Sequence, residues 1–344
     1  MARSAGAFEV VSQVIDALLN TMRKNKSEVK RMFVYGPVPS RRLGRSLGIN
    51  TIPAKVCSYS CVYCQVGRTS RLQLERSPFY PPEEIAVEVA ETISRLKEEG
   101  ESVDYLSLVP NGEPTLDSNL GRTIDLLKPL GIPIAVITNA SLLWREDVRE
   151  DLAKADWVSL KIDSLREDVW RKLDRPHGKL RLSVVLDGML AFADLFRGEL
   201  VTETMLVRNE NDSEADLELL GRFLVRLKPV RAYLSLPTRP PAEQWVAMPE
   251  EDCLNRAYQV LHGSGIEVEL LAEYEGTAFS SLGDVAEDLL AITSVHPMRE
   301  DAVRALLART GDDWSIVVQL IADGHLVESE YQGERFYLNK FYAG

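Results

Sequence analysis

Short runs of aliphatic and β-branched residues alternate with segments whose apolar positions recur every three to four residues. The runs at 48–52, 105–109, 134–138, 157–162, 200–207 and 232–236 read as buried strands. Between them the period changes. After Pro81 and Pro82, residues Ile85, Val89, Ile93 and Leu96 mark one face of a helix that stops at Gly100. Further helices are expected at 120–127, 145–154, 181–196 and 215–227. Strand and helix in regular alternation predict an α/β fold of parallel strands with crossover helices, and six units predict a partial (β/α)6 barrel of the TIM type. A helical pattern at 252–261, which carries Cys253 as a small buried hydrophobe, leads to a seventh strand-like run at 267–271.

Different patterns flank this region. At 7–24, Phe8, Val11, Ile15, Leu18, Leu19 and Met22 fall at helical spacing and are followed by Arg23, Lys24, Lys26, Lys30 and Arg31. Residues 1–32 are thus expected to form an amphipathic helix with a basic linker, its cations complementing the helix end or binding an anion. The barrel domain is expected to span 33–275, with a hinge between Gly276 and Gly283. Beyond it, helices at 285–292, 299–309 and 314–322 precede a hairpin around Gln332-Gly333, so 284–344 reads as a winged-helix-like domain. Its charge opposes DNA binding: eleven acids stand against five bases, and the presumed recognition helix at 313–323 holds no base. A protein-contacting domain or a lid on the barrel fits better.

The 344 residues carry a formal net charge of -12, which disfavours nonspecific nucleic-acid binding through the whole surface. Polar residues interrupt the first apolar stretch and no small-residue cleavage site follows, so no signal peptide is expected. No run approaches the roughly twenty apolar residues of a membrane span. Four cysteines, three of them crowded together, form no disulfide framework and point to a reducing compartment, the cytoplasm.

Those three are the strongest chemical signal. Cys57, Cys61 and Cys64 give CxxxCxxC, with Tyr63 before the last cysteine. Three thiolates can hold an iron-sulfur cube and leave one iron open, whereas a cluster used only for electron transfer usually takes four. A zinc knot or a redox-sensing thiol cluster is the plainer alternative, but zinc wants four ligands and no histidine lies near.

The motif resembles that of the radical S-adenosylmethionine (radical SAM) superfamily. The segment from Phe33 to Asn50, with Gly36, Pro37, Pro39, Arg41, Arg42 and Arg45, is similar to the opening of its iron-sulfur oxidoreductase group related to tRNA wyosine synthases. The resemblance implies a [4Fe-4S] cluster whose open iron chelates S-adenosylmethionine. It also implies a 5'-deoxyadenosyl radical that abstracts hydrogen from a substrate, and a reductant such as flavodoxin or ferredoxin. It covers about residues 33 to 245. The further cysteines of true wyosine synthases are missing, which argues against a second cluster and against tRNA as substrate.

Within the resemblance, Asn111-Gly112-Glu113-Pro114 looks like the Gly-Gly-Glu motif that binds the cofactor's amino group, with Asn111 for the first glycine. Thr138-Asn139 resembles Thr-Asn-Gly, with Ala140 replacing glycine. Strand alternation puts Ser159, Lys161 and Asp163 on one face, where Lys161 suits a carboxylate and Asp163 either pairs with it or reaches a ribose. Glu203, between Thr202 and Thr204, is a candidate sugar or substrate contact. Arg41 and Arg42 are candidate anion ligands or structural rim residues, and Arg239 in Pro237-Thr238-Arg239 is a candidate substrate contact. His177 in Asp174-Arg175-Pro176-His177 is read as solvated. The substrate expected is a modified nucleoside, a peptide or a small anionic metabolite. A different class of answer is a redox-sensing regulator that binds nucleic acid through the winged helix.

Overall fold

A computed structural model describes residues 33–272, 276–281 and 283–340. The amphipathic helix expected at 7–24 and its basic linker lie outside them. An eight-stranded sheet dominates the structure, ordered β1 (Val34–Ser40), β2 (Gly44–Ile49), β5 (Tyr105–Leu108), β6 (Ile134–Thr138), β7 (Trp157–Lys161), β8 (Glu199–Met205), β9 (Arg231–Ser235) and β10 (Val268–Leu271). From β2 to β10 the neighbours are parallel, and only β1 is antiparallel. Two short strands, β3 (Val56–Cys57) and β4 (Arg71–Leu72), pair with each other outside this sheet.

Helices α1 (Pro82–Glu98), α2 (Leu120–Leu127), α3 (Glu146–Leu152), α4 (Glu167–Leu173), α5 (Leu182–Leu195), α6 (Glu214–Leu227) and α7 (Glu251–Gly263) provide the crossovers. Alternation along each strand divides the core. Leu47, Leu106, Val136, Val158, Leu160 and Leu234 face the helices, where Ile85, Val89, Ile93 and Leu96 of α1 meet them. On the other face Leu43, Ala135, Trp157, Val201, Tyr233 and Leu271 fill the floor of an open half-barrel.

The sheet holds one parallel strand more than six units require, because 268–271 pairs with β9. It also gains a hairpin. Pro37 and Pro39 hide the alternation of β1, yet Val34 lies opposite Ile49 and Ser40 opposite Gly44, with an irregularity between Tyr35 and Val38. Arg41, Arg42 and Leu43 form the turn, so the first strand occupies 44–49 rather than 48–52.

The carboxyl-terminal unit comprises α8 (Val285–Thr293), β11 (Met298–Arg299), α9 (Glu300–Thr310), α10 (Ser315–Ala322), β12 (Leu326–Tyr331) and β13 (Glu334–Asn339). Asp284 caps α8 by accepting from the Ala286 and Glu287 amides at 2.9 and 3.0 Å. Gln332 and Gly333 both take positive φ, 54° and 78°, as a two-residue hairpin turn of type I′ requires. Leu289, Ile292, Met298, Val303, Leu306, Val317 and Tyr337 build a separate small core. The unit and the segment that leads into it touch the barrel at two places. Ser280 donates its amide to Pro37 O on the β1 side at 3.2 Å, and Tyr331 OH donates to Pro237 O beyond β9 at 2.8 Å. No helix among the described residues is long and apolar enough to cross a membrane.

Candidate functional site

The cysteine loop is fastened at the carboxyl ends of the strands by its backbone. The Ser60 and Val62 amides donate to Asp174 O and Leu173 O at 3.0 and 2.8 Å, and His177 N donates to Ser58 O at 2.9 Å. Val62 is fully buried among Val169, Leu173, Val207 and Val246. Burying this one valine turns its neighbours Cys61 and Tyr63 toward the barrel. Tyr59 adds a second anchor, packing edge-on to Trp170 with centroids 5.8 Å apart.

The Cys57 sulfur lies 3.5 Å from Asn139 Nδ2, and the Cys61 sulfur lies 3.5 Å from Asp174 Oδ1. Burial pushes all three thiols up from their ordinary range; Glu113 adds to the effect at Cys57 and Asp174 at Cys61, while Lys161 and Lys55 oppose it at Cys64. Among the described residues no three Cys, His, Asp or Glu side chains converge on a single ion. In a tetrahedral zinc site the sulfurs would sit about 3.8 Å apart, as Zn–S bonds of about 2.3 Å dictate. A cube takes one thiolate on each of three irons, and a set of three thiols from one loop suits that chemistry better than a four-ligand zinc site.

Glu113 closes the next strand end. Its buried carboxylate accepts from Thr115 N at 3.0 Å, Thr115 Oγ1 and Thr138 Oγ1 each at 2.6 Å, and Asn139 N at 2.7 Å. Burial raises its pKa, and these four bonds oppose the rise. The side chain thereby ties the β5 and β6 ends together. Pro114 starts a 3-10 turn, Pro114–Leu116, directly after it. Gly112 cannot carry a side chain, because a Cβ there would lie 1.9 Å from Val56 O. Asn111 is buried, with its amide 3.2 Å from Asn50 Oδ1 and Nδ2 3.5 Å from Ser294 Oγ. Asn139 donates to Ser58 Oγ at 2.8 Å, and Ala140 takes a φ of 62°, the left-handed conformation that a glycine adopts freely.

Deeper in the barrel an ion network crosses β7 and β8. Lys161 Nζ lies 3.0 Å from Glu203 Oε1, 3.9 Å from Asp163 Oδ1 and 4.8 Å from the Tyr63 ring centroid. Burial alone would push the Lys161 ammonium down, but Asp163 and Glu203 outweigh it and hold it up. Glu203 also pairs with Arg42 and accepts from Ser235 Oγ at 3.0 Å. Burial would raise its pKa, yet Arg42 and Lys161 keep it well below the usual carboxylate range. Arg42 lies between the Trp157 and Tyr233 rings, 6.0 and 5.8 Å from their centroids. The anion expected for Arg42 is therefore the chain's own Glu203, since a guanidinium enclosed by two rings and a carboxylate belongs to the barrel floor. Arg41 is half-buried in the adjoining turn, and Arg45 pairs with Glu101 at the rim.

Tyr63 OH sits between two buried carboxylates, hydrogen-bonded to Asp163 and 2.7 Å from Asp174 Oδ1. Burial, then the Asp163 charge, drives the Asp174 pKa well up, which favours a proton on this pair. Asp174 is a site residue that the sequence pattern missed; its loop stood out only for His177, which is half-buried with Nδ1 3.3 Å from the Lys179 amide. Ser159 Oγ is buried and has no hydrogen-bond partner among the described residues. Arg239 donates to Gln65 Oε1 at 2.8 Å and contacts His296 Nε2 at 2.6 Å, joining the cysteine loop to the carboxyl-terminal unit. Cys253 is half-buried rather than buried, lies 3.7 Å from Asp212 O, and takes no part in the site.

Comparisons with known proteins bear on the family and the fold. The Radical SAM superfamily model matches residues 51–220. A UPF0026 protein of Methanocaldococcus jannaschii is 46% identical over 89% of this chain and 95% of its own length. Another, from Synechocystis, is 40% identical over 60% of this chain and 76% of its own. Among solved structures, a radical SAM methyltransferase from Sphaerobacter thermophilus aligns with a TM-score of 0.51 at 17% identity, covering 66% of each chain. At that identity the likeness speaks for the fold, while the sequence matches speak for kinship. The chain belongs to the radical SAM superfamily as a UPF0026 protein, an enzyme whose cofactors are a [4Fe-4S] cluster and S-adenosylmethionine.

Proposed function

We propose that Cys57, Cys61 and Cys64 each bind one iron of the cluster, and that S-adenosylmethionine lies over the ends of β5, β6 and β7. The observation that carries this reading is the placement of three thiols from one loop at the strand ends, with the Cys57 sulfur 3.5 Å from Asn139 Nδ2 and the Cys61 sulfur 3.5 Å from Asp174 Oδ1. When bound and reduced, the cluster supplies the electron that cleaves the sulfonium and yields the 5'-deoxyadenosyl radical for hydrogen abstraction.

The chain's own part is to bind, orient and exclude water. The backbone of Asn111, Gly112 and Glu113, stiffened by Pro114, receives the amino group. Lys161 offers its ammonium to the carboxylate, and Glu203 and Asp163 keep that ammonium charged and in place. Asn139, Tyr63 and the unpartnered Ser159 hydroxyl complete the cradle. Arg239 and His296 line the side from which a substrate reaches it. The unit from 284 onward serves as the wall of that side, within a division of the chain into 33–275 and 284–344.

Anaerobic reconstitution with iron and sulfide, then dithionite and S-adenosylmethionine, tests the reading. Four irons per chain and 5'-deoxyadenosine are expected from the wild type, and neither from Cys61→Ala. Zinc in place of iron, or an iron centre indifferent to S-adenosylmethionine, would overturn it.

A further inference from the structure

Two segments cover the cysteine loop on its outer side, residues 67–74 and 171–181. Together they hold seven lysines and arginines and one acid, in a chain with 40 bases and 52 acids overall. The one acid, Asp174, is buried. The outward surface of these segments is therefore basic on an otherwise acidic molecule.

Pairing does not cancel this charge. Glu243 is shared between Arg68 at 2.9 Å and Arg175 at 2.5 Å, one carboxylate for two guanidinium groups. Lys172 pairs with Glu210 and Arg171 with Glu167. Arg71, Lys179 and Arg181 are exposed and form no ion pair among the described residues. Apolar groups lie between the charges: Leu72 and Trp245 are 39% and 44% exposed. The Lys172 ammonium lies 5.4 Å from the Trp245 ring centroid. Leu74, Lys179 and Arg181 share a cleft with Trp144. Exposed aromatics within a charged rim are the composition of a protein-contacting surface.

This covering is one layer of chain thick. Gln73 N donates to Cys57 O at 3.0 Å, Thr69 Oγ1 to Tyr59 O at 2.6 Å and Ser60 N to Arg175 O at 3.2 Å. The two segments thus bond to the backbone of the cysteine loop, at Cys57 itself and at Tyr59 and Ser60 between Cys57 and Cys61.

We propose that this face is the docking surface of an acidic one-electron carrier protein, which delivers its electron through the single layer of backbone to the centre held by the cysteine loop. The proposal rests on the assignment of the three cysteines given above. In the transfer the carrier loses one electron and the cluster gains it; no bond forms or breaks and no proton moves. Opposite charge steers the encounter and gives it a salt dependence, and small interfaces suffice for redox partners that must separate again. A nucleic acid fits less well, because a long polyanion would extend from this patch onto a surface with a formal net charge of -12.

The test uses the full chain with an acidic flavodoxin as probe. Binding of oxidised flavodoxin to the metal-free protein is measured at low and high salt, for the wild type and for the variant R68E/R71E/K179E/R181E. Loss of about tenfold in affinity at low salt is expected, converging at high salt. The charge-conserving variant R68K/R71K/R181K should retain wild-type binding, and K179E alone should fall between. With reconstituted protein, reduction by reduced flavodoxin should slow about tenfold in the charge-reversed variant. Reduction by photoreduced 5-deazaflavin, which needs no docking surface, should not change. Equal flavodoxin affinity in wild type and charge-reversed variant overturns the proposal, as does loss of tRNA binding in that variant with flavodoxin binding intact. Failure of wild-type protein to take up iron would instead count against the cysteine assignment, and the binding measurement on metal-free protein would still decide the docking surface.

Discussion

Gly112 offers the sharpest test of how the site is built. A glycine beside a bound ligand is usually explained by the room it leaves for that ligand, but here the space belongs to the chain itself. A Cβ on residue 112 would meet Val56 O at 1.9 Å and Ile52 Cδ1 at 2.9 Å. Val56 is next to Cys57, and its carbonyl accepts the Glu113 amide at 3.1 Å. Gly112→Ala must therefore push β3 away from the β5 end and stretch that hydrogen bond. Forcing a methyl into a packed backbone contact costs about 1–3 kcal/mol. Loss of the Glu113 amide bond adds about 1 kcal/mol. Urea unfolding of the metal-free protein should thus show a loss of about 2–4 kcal/mol, accompanied by lower iron uptake, because Cys57 moves with Val56. If the glycine served only the ligand, the metal-free variant would be as stable as the wild type and only S-adenosylmethionine affinity would fall. Stability within about 0.5 kcal/mol of the wild type would refute the structural explanation.

Other expectations follow from the same geometry. Lys161→Met should leave iron content unchanged and weaken S-adenosylmethionine binding at least about tenfold, with about 3 kcal/mol lost in unfolding because Glu203 and Asp163 lose a buried cation; unchanged calorimetric affinity removes Lys161 from the cradle. Adding Glu203→Gln to it should restore part of that stability, and a strictly additive double mutant would deny the coupling. Asp117, whose Oδ2 is buried without a partner among the described residues, has its pKa pushed up to about 6 by burial. Because the folded value lies above the unfolded one, near 3.8, the charged carboxylate opposes folding by about 3 kcal/mol above pH 6, and that opposition fades as pH falls from about 6 to 3.8. Asp117→Asn should therefore gain about 1–2 kcal/mol at pH 8, allowing about 1 kcal/mol for an amide N–H without an acceptor, and gain nothing at pH 4; equal gains at both pH values would contradict the assignment. Arg239→Met should speed hydrogen exchange at both Gln65 and His296, and an effect confined to one side would show that the two units are not joined through this side chain.

The parallel strands were legible because their inward and outward residues alternate and several end at Asn, Gly or Asp, as at Asn50, Asn111-Gly112, Asn139 and Asp163. Lys161 was legible for the same reason, since a cation on the inner face of a strand demands a partner. The β1 hairpin was not, because Pro37 and Pro39 read as loop residues and the pairing of Val34 with Ile49 closes over a bulge. Helix α4 was passed over: Glu167–Leu173 has only Val169, Trp170 and Leu173 buried, too few to set a period. Asp174 and Glu113 take their roles from partners far away in sequence, Tyr63 and Thr138, and no local pattern reports those contacts. For Arg42 the sequence left substrate binding and structural pairing open together, since an arginine in a turn gives no sign that two rings and a carboxylate enclose it.

The charges inside the barrel explain why so polar a site can be buried. Arg42 and Lys161 oppose Glu203 and Asp163, and the raised Asp174 leaves the sum near neutral when it carries a proton. Burial likewise favours the protonated form of the three thiols without metal, so the metal-free loop need not stabilise three adjacent anions. Iron binding reverses this balance by deprotonating each sulfur, and the cations that then face the new charge are already in place: Lys161 and Lys55 both favour the thiolate of Cys64. Lys161 consequently belongs to two electrostatic systems, the carboxylates of the barrel floor and the sulfurs of the loop. A substitution there disturbs both, whereas Arg42, enclosed on the floor, reaches the sulfurs only through Glu203. Comparing Lys161→Met with Arg42→Met separates the two systems: both should lose stability, but only the lysine variant should alter the pH at which the loop gives up its protons to incoming iron.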